Sequence, residues 1–288
     1  MENNKGTLYL CATPIGNLED MTPRAVRVLQ EADLIAAEDT RHTRQLLTHF
    51  GIHGQLISYH EHNKEKQGPV LLEALEAGKN IALVTDAGFP GISDPGEMIA
   101  QQAIAAGIPV VPVPGANACL TALVASGLPS TPFFFGAFLP KSRKNRKEKL
   151  EEWKHIPATL VLYEAPHRIL DVLQDMEEVW GDRQMTLGRE LTKLHEEFFR
   201  GTISTCRQHL LENPPRGEFV LVVEQGKMEK QEPQGDPLEA VKDLMARGTD
   251  KKEALAQVAK AYKVPKRELY NRLVKEEEGE FPLDSISS

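Results

Sequence analysis

A glycine-rich loop directly after a buried strand is the feature that most constrains how this chain can fold. Four apolar residues, 81–84, precede the sequence TDAGFPGISDPG, which holds three glycines, two prolines and two aspartates. Glycine adopts backbone angles that other residues avoid, and it lets the main chain approach a ligand closely. Apolar residues at helical spacing follow, so the sequence predicts a strand, a loop and a helix in succession. Open α/β sheets bind their ligands at such loops.

The spacing of these glycines fits neither of two common phosphate-binding patterns. It departs from the dinucleotide-binding pattern G-x-G-x-x-G and from the nucleotide-binding pattern G-x-x-x-x-G-K-[ST]. A glycine-rich loop can also be an ordinary crossover between a strand and a helix, and the loop alone does not decide between the two interpretations.

Short apolar segments alternate with amphipathic helices throughout the first half of the chain. We predict strands at residues 7–12, 34–37, 56–59, 81–84 and 109–113. Helices are predicted from Thr22, Thr40, Pro69, Glu97 and Ala118, bounded by proline and glycine. This alternation is typical of a mostly parallel sheet with helices on both faces.

The second half of the chain begins with a change in composition. Residues 131–140 are aromatic and apolar, with Phe133 to Phe135 predicted as a buried strand, and six of the next nine residues are basic. Further strands are predicted at residues 159–163, 184–187, 197–200 and 219–223, with helices at 169–179 and 204–211. We therefore predict an N-terminal α/β domain (1–120), a second α/β domain (121–226), a linker (227–236) and a small helical segment (237–288).

The helical segment has two possible interpretations. Its apolar residues recur at helical spacing around the turn at Val264 and Pro265, and its end, from Glu276, is expected to fray. Two short helices joined by a tight turn can form a helix-turn-helix. A small helical cap without a binding role fits the same pattern.

Composition limits the class of protein. The net charge of −8 argues against non-specific nucleic-acid binding over the whole surface, although it permits a local basic patch. Cys11, Cys119 and Cys206 lie too far apart in sequence for a metal-binding pattern, so we expect reduced, packed thiols and no metal. No apolar run approaches the roughly 20 residues that cross a bilayer. We expect a soluble, cytoplasmic protein.

Six short motifs together resemble the tetrapyrrole methylase superfamily, over roughly residues 6–225. In chain order they are TPIGNL (13–18), EDTR (38–41), SYHEHN (58–63), TDAGFPGISDPG (85–96), PGAN (114–117) and YEAPHR (163–168). Within the superfamily the motifs are most similar to those of members that methylate ribosomal RNA. The resemblance implies two α/β domains with S-adenosylmethionine in the cleft between them, and a homodimer.

The resemblance also implies which residues contact the cofactor. They lie after the first strand, in the glycine-rich loop, at the PGAN turn and on the second domain: Pro14, Gly16, Asp86, Gly88, Phe89, Ile92, Ala116, Asn117, Tyr163, Ala165, Gly217 and Phe219. The implied acceptor is the 2′-oxygen of a cytidine in the decoding region of 16S ribosomal RNA, in the 30S subunit.

A base near the 2′-oxygen would help the transfer, because a protonated ribose hydroxyl is a poor nucleophile. We expect this base among Glu38, His60 and Glu190, each of which lies in a polar cluster, and the sequence does not choose between them. A structural hydrogen bond is the alternative role for each.

Basic residues are the candidates for contact with RNA phosphates. They are Arg41 and four members of the basic tract, Arg143, Lys144, Arg146 and Lys147. A solvated helix face is the alternative for the tract. Two other functions stay open at this point, namely methylation of a small tetrapyrrole-like metabolite and a non-catalytic regulator whose terminal helices bind nucleic acid.

Overall fold

The computed structural model describes residues 5–92, 94–226 and 235–279. The chain divides into two compact units, Met1–Lys227 and Met228–Ser288. Most of the predicted linker (227–234) and the predicted frayed end beyond residue 279 lie outside the described residues.

The first five strands form one parallel sheet in the order β3-β2-β4-β1-β5. The strands are β1 (Leu8–Cys11), β2 (Leu34–Ala37), β3 (Leu56–Ser58), β4 (Ile81–Val84) and β5 (Val110–Val113). The helices between them are α1 (Pro23–Glu31), α2 (Thr40–His49), α3 (Lys64–Glu76) and α4 (Gly96–Ala105). The parallel sheet confirms the prediction made from the alternating pattern.

Helices cover both faces of this sheet. Leu29 of α1 and Leu47 of α2 pack in one apolar cluster with Ile35. Leu75 of α3 and Ile99 of α4 pack in a second cluster on β strands of the same sheet. Strands that are buried on both faces consist of consecutive apolar residues, and for this reason they can be predicted from the sequence.

Helix α3 begins five residues before its predicted start at Pro69. The carbonyl oxygen of Asn63 accepts hydrogen bonds from the backbone N–H groups of Lys66 and Gln67, and these bonds start the helix. Pro69 therefore lies inside the helix. The segment Glu61–Asn63, between β3 and this helix, is a turn.

The next five strands form a mixed sheet in the order β6-β7-β10-β8-β9. They are β6 (Phe133–Phe138), β7 (Thr159–Glu164), β8 (Gln184–Arg189), β9 (Glu197–Thr202) and β10 (Phe219–Val223). Only β6 and β7 are parallel, and the other neighbours are antiparallel. The remaining helices of this unit are α5 (Ala118–Ala125), α6 (Arg143–Trp153), α7 (Ile169–Trp180) and α8 (Ile203–Glu212). The two α/β lobes confirm the expected fold class.

Helix α5 packs on the second sheet, although it directly follows the last strand of the first. Its Ala122 and Leu123 lie in one apolar cluster with Val161 of β7 and Val220 of β10. The predicted boundary between residues 120 and 121 therefore falls inside this helix.

Strand β6 is an edge strand, so the prediction that three consecutive phenylalanines fill the core is only partly correct. Phe134 and Phe135 pack against clusters on opposite faces of the sheet. Phe133, at the start of the strand, is exposed.

The C-terminal unit has its own apolar core. Helices α9 (Pro237–Ala246), α10 (Lys251–Tyr262) and α11 (Lys266–Gly279) contribute to it. The core residues include Leu238, Val241, Leu255, Val258, Leu269 and Leu273. Residues 263–265 form the short connection between α10 and α11, as the predicted tight turn requires.

No helix in the described residues is both long enough and apolar enough to cross a membrane. The three cysteines are buried and unbonded, and burial raises the pKa of the Cys11 and Cys206 thiols to about 12. The predicted packing role of the cysteines is thereby confirmed.

A buried ion pair joins α6 to α7. The carboxylate of Asp175, which is buried, accepts hydrogen bonds from Nε of Arg143 at 2.9 Å and from Nε of Arg146 at 2.8 Å. Arg146 is also buried, and Asp175 is the carboxylate that forms an ion pair with its guanidinium.

Replacing Asp175 by Ala should lower the free energy of unfolding by about 3–5 kcal/mol, because Arg146 would remain buried without its partner. Urea denaturation measures the change. The control is Glu178→Ala on the same helix, whose half-exposed carboxylate pairs with Arg143 and Lys147. We expect a loss of about 1 kcal/mol or less there. Equal losses in the two variants would contradict the interpretation.

Candidate active site

Hydrogen bonds join the loops that follow β1 and β4. Thr13 and Gly88 exchange two backbone bonds, with N···O distances of 2.9 and 3.1 Å. The hydroxyl of Thr13 also donates to the carbonyl of Thr85 at 3.1 Å. Gly88 has φ 80°, a left-handed conformation that glycine adopts without strain. The glycine-rich loop is therefore held against the end of the first strand.

Two carboxylates connect the ends of β2 and β4. Glu38 accepts a hydrogen bond from the hydroxyl of Thr85 at 2.5 Å and a longer one from the backbone N–H of Asp86 at 3.4 Å. Asp86 in turn accepts one from the backbone N–H of Asp39 at 3.1 Å. Because parallel strands end at the same edge of the sheet, these side chains meet although 47 residues separate Glu38 from Thr85.

Asp94 fixes the far end of the glycine-rich loop. Its carboxylate accepts backbone hydrogen bonds from Gly91, Ile92 and Gly96 at distances of 2.8–3.2 Å. A carboxylate that collects several N–H groups holds a loop in one conformation, because each donor would otherwise need another acceptor.

The second lobe contributes the opposite wall. Tyr163, near the end of β7, accepts a hydrogen bond through its hydroxyl from the backbone N–H of Cys119 at 3.1 Å. Asn117 caps α5, since its side chain accepts from the N–H of Leu120 at 2.9 Å. The next residue after Tyr163, Glu164, is 2% exposed, and its Oε2 atom has no hydrogen-bond partner among the described residues.

These groups enclose a cavity of about 430 Å³, a size typical of small-molecule sites. Its lining comes from both lobes: Ile15, Glu38, Thr85–Phe89, Ile92, Asp94, Asn117, Ala118, Phe138, Tyr163–Pro166, Leu191 and Glu218–Val220.

The lining is strongly acidic. Five acidic residues line the cavity, namely Glu38, Asp86, Asp94, Glu164 and Glu218, and no Lys, Arg or His lines it among the described residues. Burial raises the pKa of Asp86, Asp94 and Glu164 above the ordinary carboxyl values. Such a cavity favours a cationic or hydrogen-bond-donating ligand and disfavours a phosphate.

A second cavity, of about 440 Å³, adjoins the first and shares Ile15, Asp86, Ala87 and Glu218 with it. Its other lining residues include polar and basic side chains together with the loop after β1: Thr13, Pro14, Gly16, Leu18, His42, Gln45, Leu46, His49 and Lys193. The charged residues of the first cavity are all acidic, whereas acidic and basic residues both line the second. No group of three His, Cys, Asp or Glu residues suited to a metal ion occurs in the described part of the chain.

Most residues that the resemblance assigned to the cofactor lie at these cavities. Eight line the first: Asp86, Gly88, Phe89, Ile92, Asn117, Tyr163, Ala165 and Phe219. Pro14 and Gly16 line the second. Ala116 and Gly217 line neither cavity, although the carbonyl oxygen of Ala116 lies close to Gly88. Sequence reasoning missed Glu164, although it belongs to the YEAPHR motif, because nothing in the sequence indicates its burial.

The three candidate bases lie in different surroundings. Glu38 lines the first cavity. Glu190 lines neither cavity, and its carboxylate accepts hydrogen bonds from Lys193 Nζ and from the backbone N–H of Glu218, both at 2.9 Å. His60 also lines neither cavity, and its Nδ1 is buried without a partner among the described residues. Of the three candidates, Glu38 is the one that lines the first cavity, and the identity of the base stays a prediction.

The basic tract differs most from its prediction. Arg146 is buried against Asp175 and cannot reach a phosphate, which corrects its assignment to RNA. Arg143 pairs with Asp175 and Glu178, and Lys147 pairs with Glu178, so the acidic face of α7 compensates their charges. Lys144 is 83% exposed with a loose contact to Glu148, and the side chain of Arg41 is 89% exposed.

The fold and this cleft belong to a known class of protein. The family described as Tetrapyrrole (Corrin/Porphyrin) Methylases matches residues 7–207, and the chain therefore belongs to this family of S-adenosylmethionine-dependent methyltransferases. This confirms the resemblance inferred from the six motifs.

Curated relatives are similar over nearly the whole chain. A protein of Halalkalibacterium halodurans named ribosomal RNA small subunit methyltransferase I is 53% identical over 275 residues, which cover 93% of this chain and 95% of that protein. Proteins with the same name from Bacillus subtilis and Synechocystis are 49% and 48% identical, over 94% and 92% of this chain and 94% and 96% of those proteins.

Solved structures share the fold at low identity. Uroporphyrin-III C-methyltransferase from Thermus thermophilus has a TM-score of 0.55 at 24% identity, covering 77% of this chain and 95% of that one. A structure of that enzyme with S-adenosyl homocysteine has a TM-score of 0.53 at 20% identity, over 77% and 97% of the two chains. Cobalt precorrin-4 methyltransferase has a TM-score of 0.55 at 18% identity, over 75% and 94%.

Proposed function

We propose that this protein transfers a methyl group from S-adenosylmethionine to the 2′-hydroxyl of a cytidine in the decoding region of 16S ribosomal RNA. The observation that carries the proposal is the 53% identity, over 93% of the chain, to a protein named as a small subunit ribosomal RNA methyltransferase. The nucleoside and the oxygen follow from the resemblance of the six motifs.

The first cavity suits the methyl donor. When bound, S-adenosylmethionine supplies a methyl group on a positively charged sulfur, and the five carboxylates of the cavity favour that charge. The glycine-rich loop and the Asn117 turn provide close backbone approach on one side, and Tyr163 and Ala165 form the other wall.

Glu38 is the proposed base. Its carboxylate lines the cavity, where it would take the proton of the 2′-hydroxyl as the oxygen attacks the methyl carbon. The hydroxyl of Thr85 and the N–H of Asp86 hold the carboxylate in place. Holding both reactants in line can itself contribute about 7–11 kcal/mol to lowering the barrier.

The acceptor nucleoside would enter through the second cavity. His42 and His49 line it and are compatible with a negatively charged backbone, whereas the first cavity repels phosphate, and the charge of Lys193 is compensated by Glu190 and Glu218. The exposed Arg41 and Lys144 remain proposed contacts to flanking phosphates, each with a salt-dependent contribution to affinity.

Transfer of a radiolabelled methyl group tests the proposal. The label is offered to 30S subunits, to naked 16S ribosomal RNA and to precorrins, and the labelled RNA is hydrolysed with alkali. A label in an alkali-resistant dinucleotide that contains 2′-O-methylcytidine supports the proposal. A label on a precorrin alone would select the small-metabolite alternative, and cofactor binding without transfer to any acceptor would favour the regulator.

Donor affinity should depend on pH. Protonation of Asp86, Asp94 and Glu164 removes negative charge from the cavity. Because burial raises the pKa of these three carboxyl groups, they bind protons at a higher pH than exposed carboxyl groups do. The Kd of S-adenosylmethionine should therefore rise as the pH falls from 7.5 into the range in which these carboxyls bind protons. Calorimetry measures it, and S-adenosyl homocysteine, without the sulfur charge, should show a smaller change. Parallel pH curves for the two ligands would contradict the electrostatic explanation.

The proposal includes a homodimer in the cytoplasm. Leu120 and Val124 lie one turn apart on α5 with side chains 48% and 75% exposed, and such an apolar pair suits a protein interface. Light scattering tests the dimer: Val124→Glu should shift the protein towards the monomer, and Arg27→Glu on α1 should not.

A further inference from the structure

One stretch of the C-terminal unit is rich in positive charge, although the unit as a whole has 11 Lys or Arg and 13 Asp or Glu. Residues 247–275 hold nine Lys or Arg and three Asp or Glu, whereas the whole chain has 34 basic and 42 acidic residues. Acidic residues resume at Glu276. A charge run often marks only a solvated helix face, so its arrangement and its partners decide what it can do.

The charges on α11 are segregated. Leu269 and Leu273 are buried in the core of the unit. With 3.6 residues per turn, Lys266, Arg267 and Tyr270 share one side of the helix, and all three are exposed. Glu268 and Arg272 lie on the other side, where Arg272 pairs with Asp236 at 2.8 Å.

Helix α10 extends this surface. The Nζ atom of Lys251 lies 5.8 Å from the centre of the Tyr270 ring, a cation–π contact. Lys266 donates from its Nζ to the carbonyl oxygen of Lys252 at 2.9 Å. The start of α10 and the exposed side of α11 therefore form one continuous basic face, defined by Lys251, Lys252, Lys266, Arg267 and Tyr270.

Two cations of the basic face, Lys252 and Arg267, differ from those of the tract on α6. In the part of the chain that the structure describes, neither Lys252 nor Arg267 makes an ion pair, whereas Arg143 and Lys147 both pair with Glu178. The side chain of Tyr270 is 50% exposed in the middle of the face. Cations with an exposed aromatic ring between them match the phosphates and unstacked bases of single-stranded RNA.

We propose that the C-terminal unit is an RNA-binding module, in which the cations of the basic face contact phosphates and Tyr270 stacks on an unpaired base. The choice of RNA rests on the proposed function. The module would add affinity for the ribosomal RNA without contributing any group to the methyl transfer.

Fluorescence anisotropy with the full-length protein and a labelled transcript of the 16S decoding-region stem-loop tests the proposal. Lys266→Gln with Arg267→Gln should weaken binding and reduce the slope of log K against log salt by about 0.7 for each cation. Tyr270→Ala should weaken binding about fivefold or more with little change in slope, and Tyr270→Phe should retain the affinity. Arg27→Gln, an exposed cation on α1, is the matched control and should have no effect.

The outcomes separate this proposal from the proposed function. The proposed RNA-binding role would be wrong if both the Lys266→Gln/Arg267→Gln variant and Tyr270→Ala bound RNA with the affinity and salt slope of the wild type. It would also be wrong if duplex DNA of equal length competed more strongly than RNA. If the protein binds an unrelated RNA loop through these residues but ignores the decoding-region transcript, the module stands and the assigned target is wrong. Calorimetry with S-adenosylmethionine should give the same Kd for all variants, which shows that the catalytic unit is intact.

Discussion

Replacing Glu38 by Gln is expected to lower kcat by about 10²–10⁴-fold, the contribution typical of a positioned base. Gln retains an oxygen that can accept the hydrogen bonds from Thr85 and from the backbone of Asp86, so the loop geometry should persist. The Kd of S-adenosylmethionine should change by about threefold or less, because the lost function is proton removal. Single-turnover methylation of 30S subunits and calorimetry with the donor measure the two quantities separately.

Glu190→Gln provides the comparison for Glu38→Gln. Glu190 is an equal candidate on sequence, but it lines neither cavity, and its carboxylate accepts hydrogen bonds from Lys193 and from the backbone N–H of Glu218. We expect it to reduce kcat by about tenfold at most. A kcat for Glu38→Gln near that of the wild type would remove Glu38 as the base, and a larger loss at Glu190 would reverse the assignment.

Replacing Asp94 by Ala is expected to raise the Kd of S-adenosylmethionine about 100-fold. Three backbone N–H groups, from Gly91, Ile92 and Gly96, lose their common acceptor, and hydrogen bonds to a charged group contribute about 1.5–3 kcal/mol each. Water molecules would replace part of the lost hydrogen bonding, so the loss of binding free energy is smaller than the sum over the three hydrogen bonds. Calorimetry with the donor measures the change.

Two further variants define the cause of the Asp94 effect. Asp94→Asn retains an oxygen acceptor without the charge and should have an intermediate Kd, while Asp20→Ala, an exposed carboxylate, should leave the Kd unchanged. If Asp94→Ala bound the donor normally and lost only kcat, the carboxylate would act on the reaction and not on the loop.

The first sheet could be predicted from the sequence because its information is local. Each strand is a short, mostly apolar run, and parallel strands buried on both faces keep that pattern. The second sheet was predicted only as a set of strands. Its order, with β10 between β7 and β8, depends on pairing between segments far apart in the chain, which no local pattern specifies.

The site shows the same division. The glycine-rich loop and the residues that follow β2 and β4 were identifiable, because loops at the ends of parallel strands meet at one edge. The role of Arg146 could not be identified from the sequence, because its partner Asp175 lies 29 residues further along the chain and on another helix. The burial of Glu164 was also hidden, because it depends on packing around the end of β7.

The chain passes from the first sheet to the second between β5 and α5, at residues 114–117 beside the cavity. Each lobe is therefore one uninterrupted stretch of sequence. A single recombination within these few codons would exchange an entire lobe and still leave both halves facing the donor.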